Sequence, residues 1–113
     1  MVKAQEIATN ESTLDEIVQR IVEGFDPQRI ILFGSWARGS AGPDSDVDLL
    51  IVMEVEGSKR QKATEIDMAL VGIPVPIDLI IATPVDLERS LDSIASIIAP
   101  AVREGKVLYE RAA

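Results

Sequence analysis

Phe33-Gly34-Ser35-Trp36-Ala37-Arg38-Gly39, followed by Pro43-Asp44-Ser45-Asp46-Val47-Asp48-Leu49-Leu50-Ile51-Val52-Met53, decides how this 113-residue chain reads. The apolar run at 29–33 ends abruptly at Gly34, which marks a buried strand entering a turn. A polar, glycine-rich turn then spans 34–45. A second strand, read over 46–54, is apolar almost throughout once past its two aspartates. Residues two apart on a strand share a face. Asp46 and Asp48 therefore project together, while Val47 and Leu49 enter the core.

Outward from this centre, the elements alternate. Leu14, Ile17, Val18, Ile21, Val22 and Phe25 recur at helical spacing upstream. Thr13 with Glu16 reads as a capping box at the start of that helix, and Gly24 as its stop. Residues 1–10 form a polar arm with weak periodicity, loose or a first turn of the helix. Downstream, Ser58 and Gln61 cap a helix running to about Val71, with Gly72 as its stop. A third strand covers 75–82, and Thr83-Pro84 opens another helix. The helical segment 87–104 contains Pro100, which should kink or divide it. The alternating residues 106–110 make a last short strand. Four strands interspersed with helices predict an α/β (α+β) domain with helices packed on a mixed sheet, one domain over 1–113.

Composition narrows the chemistry. The chain holds no cysteine and no histidine, which excludes disulfides, thiolate metal sites and the usual general base. Acid–base or metal chemistry must run on carboxylates with oxygen-loving cations such as magnesium or manganese. A net charge of −8 opposes sequence-independent nucleic-acid binding, which needs a basic surface. No segment resembles a signal peptide or a membrane span, so a cytoplasmic, membrane-free location is expected.

Three features carry chemistry. Gly34-Ser35 follows a strand, where backbone N–H groups and a hydroxyl can approach an anion; by itself such a pair is more often an ordinary capped turn. Asp46-Val47-Asp48 is partly explained by turn chemistry, which suits Asp44 and Asp46 but not Asp48 at the mouth of an apolar strand. Asp78 stands in Val75-Pro76-Ile77-Asp78-Leu79-Ile80-Ile81, a strand read as buried, where it needs a partner: an arginine such as Arg29 or Arg38, or a metal. Two carboxylates about 6 Å apart at an effective dielectric near 20 repel by roughly 3 kcal/mol. A third adds more, and divalent cations offset such repulsion.

Gly34-Ser35, ten residues, Asp46-x-Asp48 and a later strand carrying Asp78 resemble the nucleotidyltransferase pattern of the DNA polymerase beta superfamily. The text around both motifs, and the ending Arg103-Glu104-Gly105-Lys106-Val107-Leu108-Tyr109-Glu110, is similar to the minimal nucleotidyltransferases, small proteins paired with HEPN-domain toxins. The resemblance covers nearly the whole chain. It implies a polymerase beta-like fold and two Mg²⁺ ions (or Mn²⁺) held by Asp46, Asp48 and Asp78. Gly34 and Ser35, with Arg38, would hold the triphosphate of ATP. AMP would pass to a hydroxyl of a small helical HEPN-type partner. The alternatives are an antitoxin that silences its partner by binding alone, or a small-molecule nucleotidyltransferase needing a partner subunit. Trp36 and Tyr109 are expected to pack, and the Lys59, Arg60 and Lys62 cluster to face solvent. Base preference and homo-oligomerisation stay open.

Overall fold

The computed structural model of the chain describes residues 2–42, 45–91 and 98–112. The element order is α1 (Val2–Phe25), β1 (Arg29–Phe33), α2 (Gly34–Arg38), β2 (Val47–Val52), α3 (Lys59–Ala69), β3 (Ile77–Ala82), α4 (Pro84–Leu91), α5 (Ile98–Glu104) and β4 (Lys106–Glu110). The four strands form one mixed sheet in the order β3-β2-β1-β4. β1 is antiparallel to both β2 and β4, whereas β2 and β3 run parallel. The parallel pair requires a crossover, and α3 supplies it.

Alternation along the two central strands sorts the core into two layers. Ile30 and Leu32 of β1 and Val47, Leu49 and Ile51 of β2 pack with Ile17 and Ile21 of α1 and Ile66 of α3. Ile31, Leu50 and Val52 face the other way, against Ala101 of α5, with Leu87 of α4 alongside. Leu49, Leu50 and Ile51 are fully buried, each contributing on the order of 2 kcal/mol of transfer free energy. This placement follows the predicted inward turn of Val47 and Leu49. It also puts the even-numbered residues of β2, Asp48 among them, on the α4–α5 face.

The helices depart from the sequence reading in three places. α1 begins at Val2, so Thr13 is not a cap but a buried interior residue of the helix. Gly24 does not end it either. Asp26 takes the left-handed turn at φ 47°, and its N–H bonds Val22 O. Pro27 then blocks continuation. The predicted helix over 87–104 is two helices. Pro100 lies in the first turn of α5, where its missing N–H costs nothing, and residues 92–97 lie outside the described residues. By contrast, the Ser58 side chain accepts from Gln61 N as expected.

Thr83 and Asp86 close a reciprocal capping box on α4: Asp86 N donates to the Thr83 hydroxyl, and Thr83 N donates to the Asp86 carboxylate at 3.0 Å. Lys59 forms an ion pair with the same carboxylate, tying the start of α3 to the start of α4. The Lys59 bond, followed by that from Thr83 N, lowers the Asp86 pKa to about 2.

Candidate active site

β1 and β2 run in opposite directions, so the end of one lies beside the start of the other: Phe33 pairs with Asp48. Gly34 follows Phe33 directly and adopts φ 72°, a conformation open to glycine at little cost. A Cβ at Gly34 would fall on the Asp48 carboxylate. Only a residue without a side chain lets the backbone come that close. The chain then turns into the short helix α2 rather than the continuous turn the sequence suggested. It leaves through Gly39 at φ 74°, with Ser40 N bonding Ser35 O.

Across β2 on the other side, Asp48 is level with Asp78 in the parallel β2–β3 register. Paired residues of neighbouring strands put their side chains on the same face. Asp46, two residues before Asp48 and just ahead of β2, lies along the same line. Asp48 is half-buried, whereas Asp46 and Asp78 are exposed. Burial pushes the Asp48 carboxyl above its usual value; repulsion from Asp78, and then from Asp46, pushes the same way, and Arg38 opposes them. Asp48 thus senses both other aspartates and the Arg38 guanidinium.

One premise of the sequence reading is corrected. Asp78 does not lie in a buried strand: β3 is a sheet edge, and Asp78 is open to solvent near its start. Burial is therefore not what demands a partner for Asp78. The constrained carboxylate is Asp48. Nor does Asp78 pair with Arg29, whose ion-pair partner is Glu110 at 3.1 Å. Among the described residues, no three carboxylates stand close enough to complete a metal shell by themselves. A magnesium site does not require that. Mg²⁺ commonly takes one or two carboxylates and completes its shell with substrate phosphates and water. Hard oxygen donors that repel one another, around a half-buried carboxylate, suit such an ion.

Trp36 and Tyr109 pack as expected, whereas Lys62, read as solvent-facing, is half-buried. Trp36 packs against the α1–α3 layer, and its Nε1 donates to Ser45 O at 3.2 Å, anchoring the turn that precedes Asp46. Tyr109 joins the same layer. Lys62 pairs with Glu65 and sits 5.7 Å from the Phe25 ring. Pro43 and Asp44 lie outside the described residues. Arg38 is exposed at the end of α2.

A feature absent from the motifs is a cleft of about 350 Å³ lined by Phe33, Gly34, Ala37, Arg38, Pro100, Ala101 and Glu104. It opens beside Gly34, and its walls come from two segments, 33–38 and 100–104, far apart in the sequence, which is why no local pattern announces it. A larger hollow, bordered by Gln28, Arg29 and Arg111, lies at the far end of the sheet from Asp48. Arg29 and Arg111 there are engaged with Glu110 and Asp26.

Comparison with known proteins places these features in context. A family model described as a nucleotidyltransferase domain matches residues 12–104. A protein of Methanocaldococcus jannaschii named as a protein adenylyltransferase is 37% identical over 105 residues, covering 87% of this chain and 70% of that one. A crystal structure of a nucleotidyltransferase from Sulfolobus solfataricus superimposes with a TM-score of 0.61 at 20% identity, over 97% of this chain and 86% of that one. A toxin–antitoxin crystal structure with AMP-PNP gives a TM-score of 0.58 at 22% identity, over 86% and 73%. The toxin–antitoxin MntA–HpeT gives 0.61 at 17%, over the same shares.

Proposed function

The chain belongs to the nucleotidyltransferase domain family, and from that premise we propose that it moves AMP from ATP onto a hydroxyl of a partner protein. The observation that carries this reading is the in-register pair Asp48–Asp78, with the Gly34 backbone against Asp48. Asp46, Asp48 and Asp78 would hold Mg²⁺, or Mn²⁺, which supplies charge neutralisation at the α-phosphate and the leaving oxygen. Gly34 and Ser35 would hold the triphosphate through backbone N–H groups and the Ser35 hydroxyl, with Arg38 adding positive charge.

In the step proposed, the acceptor oxygen attacks the α-phosphorus. A new P–O bond forms, the bond from the α-phosphorus to the α–β bridging oxygen breaks, and pyrophosphate leaves. The acceptor proton passes to Asp78, which faces solvent at the sheet edge where an incoming protein can reach it. The first two carboxylates stay on the nucleotide side.

Support for a protein acceptor comes from the named relative and from the toxin–antitoxin folds. A small helical HEPN-type protein is the partner proposed. Mixing this chain with the purified product of the adjacent reading frame, ATP and Mg²⁺ should add one or more AMP units to that product by intact mass spectrometry. Asp46→Asn should abolish the gain. A partner silenced by a tight complex but unchanged in mass would favour an antitoxin that acts by binding alone.

A further inference from the structure

We propose that the acceptor protein docks as an added strand on the free edge of β3, with its hydroxyl-bearing residue opposite Asp78. This rests on the reading that the chain transfers AMP to a protein. It adds the shape in which the acceptor is presented: an extended segment, paired through its backbone.

The first ground is the backbone of β3. Val47 N donates to Pro76 O, and Met53 N donates to Ala82 O. In this parallel register the even-numbered residues of β3 therefore turn their N–H and C=O groups toward β2. Ile77, Leu79 and Ile81 turn theirs the other way. β3 is the last strand of the sheet, and no backbone hydrogen bond engages these outward groups among the described residues. A row of outward donors and acceptors is a template for an extended chain.

The second ground is that the two edges of the sheet are built differently. At the β4 edge the register slips between Ile30 and Ile31, and the strand has Lys106 and Glu110 at its ends. A bulge and end charges discourage further pairing. β3 instead matches β2 without a slip from Ile77 to Ala82, and Asp78 is its only charged residue. Ile77, Leu79 and Ile80 are half-buried, which leaves apolar surface for a partner to cover.

The third ground is where an added strand places its side chains. Neighbouring strands lie about 4.8 Å apart, and paired residues share a face. The residue opposite Asp78 therefore points onto the α4–α5 face, beside the aspartate carboxylates. The residue two positions along lies against Ile80, which packs with the core layer of that face. A hydroxyl residue with an apolar residue two positions away is the pattern this edge fits. The net charge of −8 favours a basic segment over a second copy of this chain.

Amide hydrogen exchange, read by NMR, tests this on the whole chain mixed with the purified product of the adjacent reading frame, Mg²⁺ and α,β-methylene-ATP, which cannot release AMP. Exchange at the Ile77 and Leu79 amides should slow about tenfold or more, while Asp78 and Ile80, already bonded to β2, change little. With ATP instead, Leu79→Pro removes one outward N–H and spares the β2 ladder. It should transfer AMP about tenfold more slowly than Leu79→Ala, which loses the same side chain but keeps the N–H. Mg²⁺–ATP affinity should be equal in the two variants. AMP transfer by the wild type with no new protection at Ile77 and Leu79, or equal transfer by both variants, would overturn edge docking and leave the transferase reading standing. Protection that appears in the chain alone and grows with its concentration would assign the edge to a second copy, and would overturn it too. A wild type that transfers no AMP would overturn the reading beneath, and the docking with it.

Discussion

Asp48 and Asp78 stand level with one another across the parallel β2–β3 pair, two carboxylates on adjoining strands with a third, Asp46, just upstream. Neighbouring strands are about 4.8 Å apart, so a fold that needed only stability would place something else there. At Asp48 burial, followed by repulsion from Asp78 and Asp46, opposes ionisation.

Replacing Asp48 with asparagine should therefore leave the fold intact and raise its stability at pH 7 by about 1 kcal/mol or less, after solvent and salt screening. The sign follows from the raised pKa. A carboxyl that holds its proton more tightly when folded opposes folding while ionised, and that opposition fades as the pH falls through its raised folded value. Melting temperatures of the wild type and Asp48→Asn should differ at pH 7 and converge near the ordinary carboxylate value of 3.8. A variant less stable than the wild type at pH 7 would contradict the electrostatic account.

Gly34→Ala tests the close approach of backbone to carboxylate. It forces a Cβ onto Asp48 and a left-handed φ on alanine, costing on the order of 1–3 kcal/mol in strain and displacement. Chemical denaturation should show this loss, together with weaker Mg²⁺–ATP binding. Removing the Asp48 carboxylate in a Gly34→Ala/Asp48→Ala double variant should recover part of the stability. Strict additivity of the two changes would argue against contact between these residues.

Asp86 should shape the acid limb of the stability curve. Its pKa is depressed to about 2 by Lys59 and by Thr83 N, so its contribution is present above about 3.8 and is lost as the pH falls toward 2. Because the pair with Lys59 is partly exposed, Asp86→Ala should cost only about 1 kcal/mol at pH 7, mostly from the lost cap. The gap between variant and wild type should narrow steadily as the pH falls from about 4 to about 2. A gap that does not narrow over this range would mean that Asp86 acts through packing.

Gly105→Ala probes the other end of the resemblance. Its Cβ would meet Ala101 O, the Ile31 side chain and Leu32 O, atoms of the sheet and of α5 that cannot all retreat. The variant should be destabilised by about 2 kcal/mol or more, in the range of overpacking penalties. An unchanged denaturation midpoint would show that α5 can shift away from β1.

The strands and the aspartate set could be read from sequence because both depend on local pattern. Period-two alternation placed Val47 and Leu49 inward, and the i, i+2 spacing put Asp46 and Asp48 together. What failed depended on distant context. Asp78 looked buried because Leu79, Ile80 and Ile81 follow it, yet β3 takes the sheet edge, and strand order is not written in any single strand. The start of α1 was misplaced because the Thr13–Glu16 pair mimics a cap inside a longer helix. The cleft at Glu104 was invisible because its walls come from α2 and α5, which are far apart in the sequence.

The central claim is that Asp46, Asp48 and Asp78 form a metal-dependent nucleotide site, and calorimetric titration of ATP tests it most directly. With Mg²⁺ or Mn²⁺ present, the wild type should bind ATP. Binding should vanish when the metal is chelated, because bare carboxylates repel the triphosphate. Asp48→Asn should fail to bind ATP under either condition while melting at least as high as the wild type. Equal ATP affinity with and without metal, or full metal-dependent affinity in Asp48→Asn, would contradict the account.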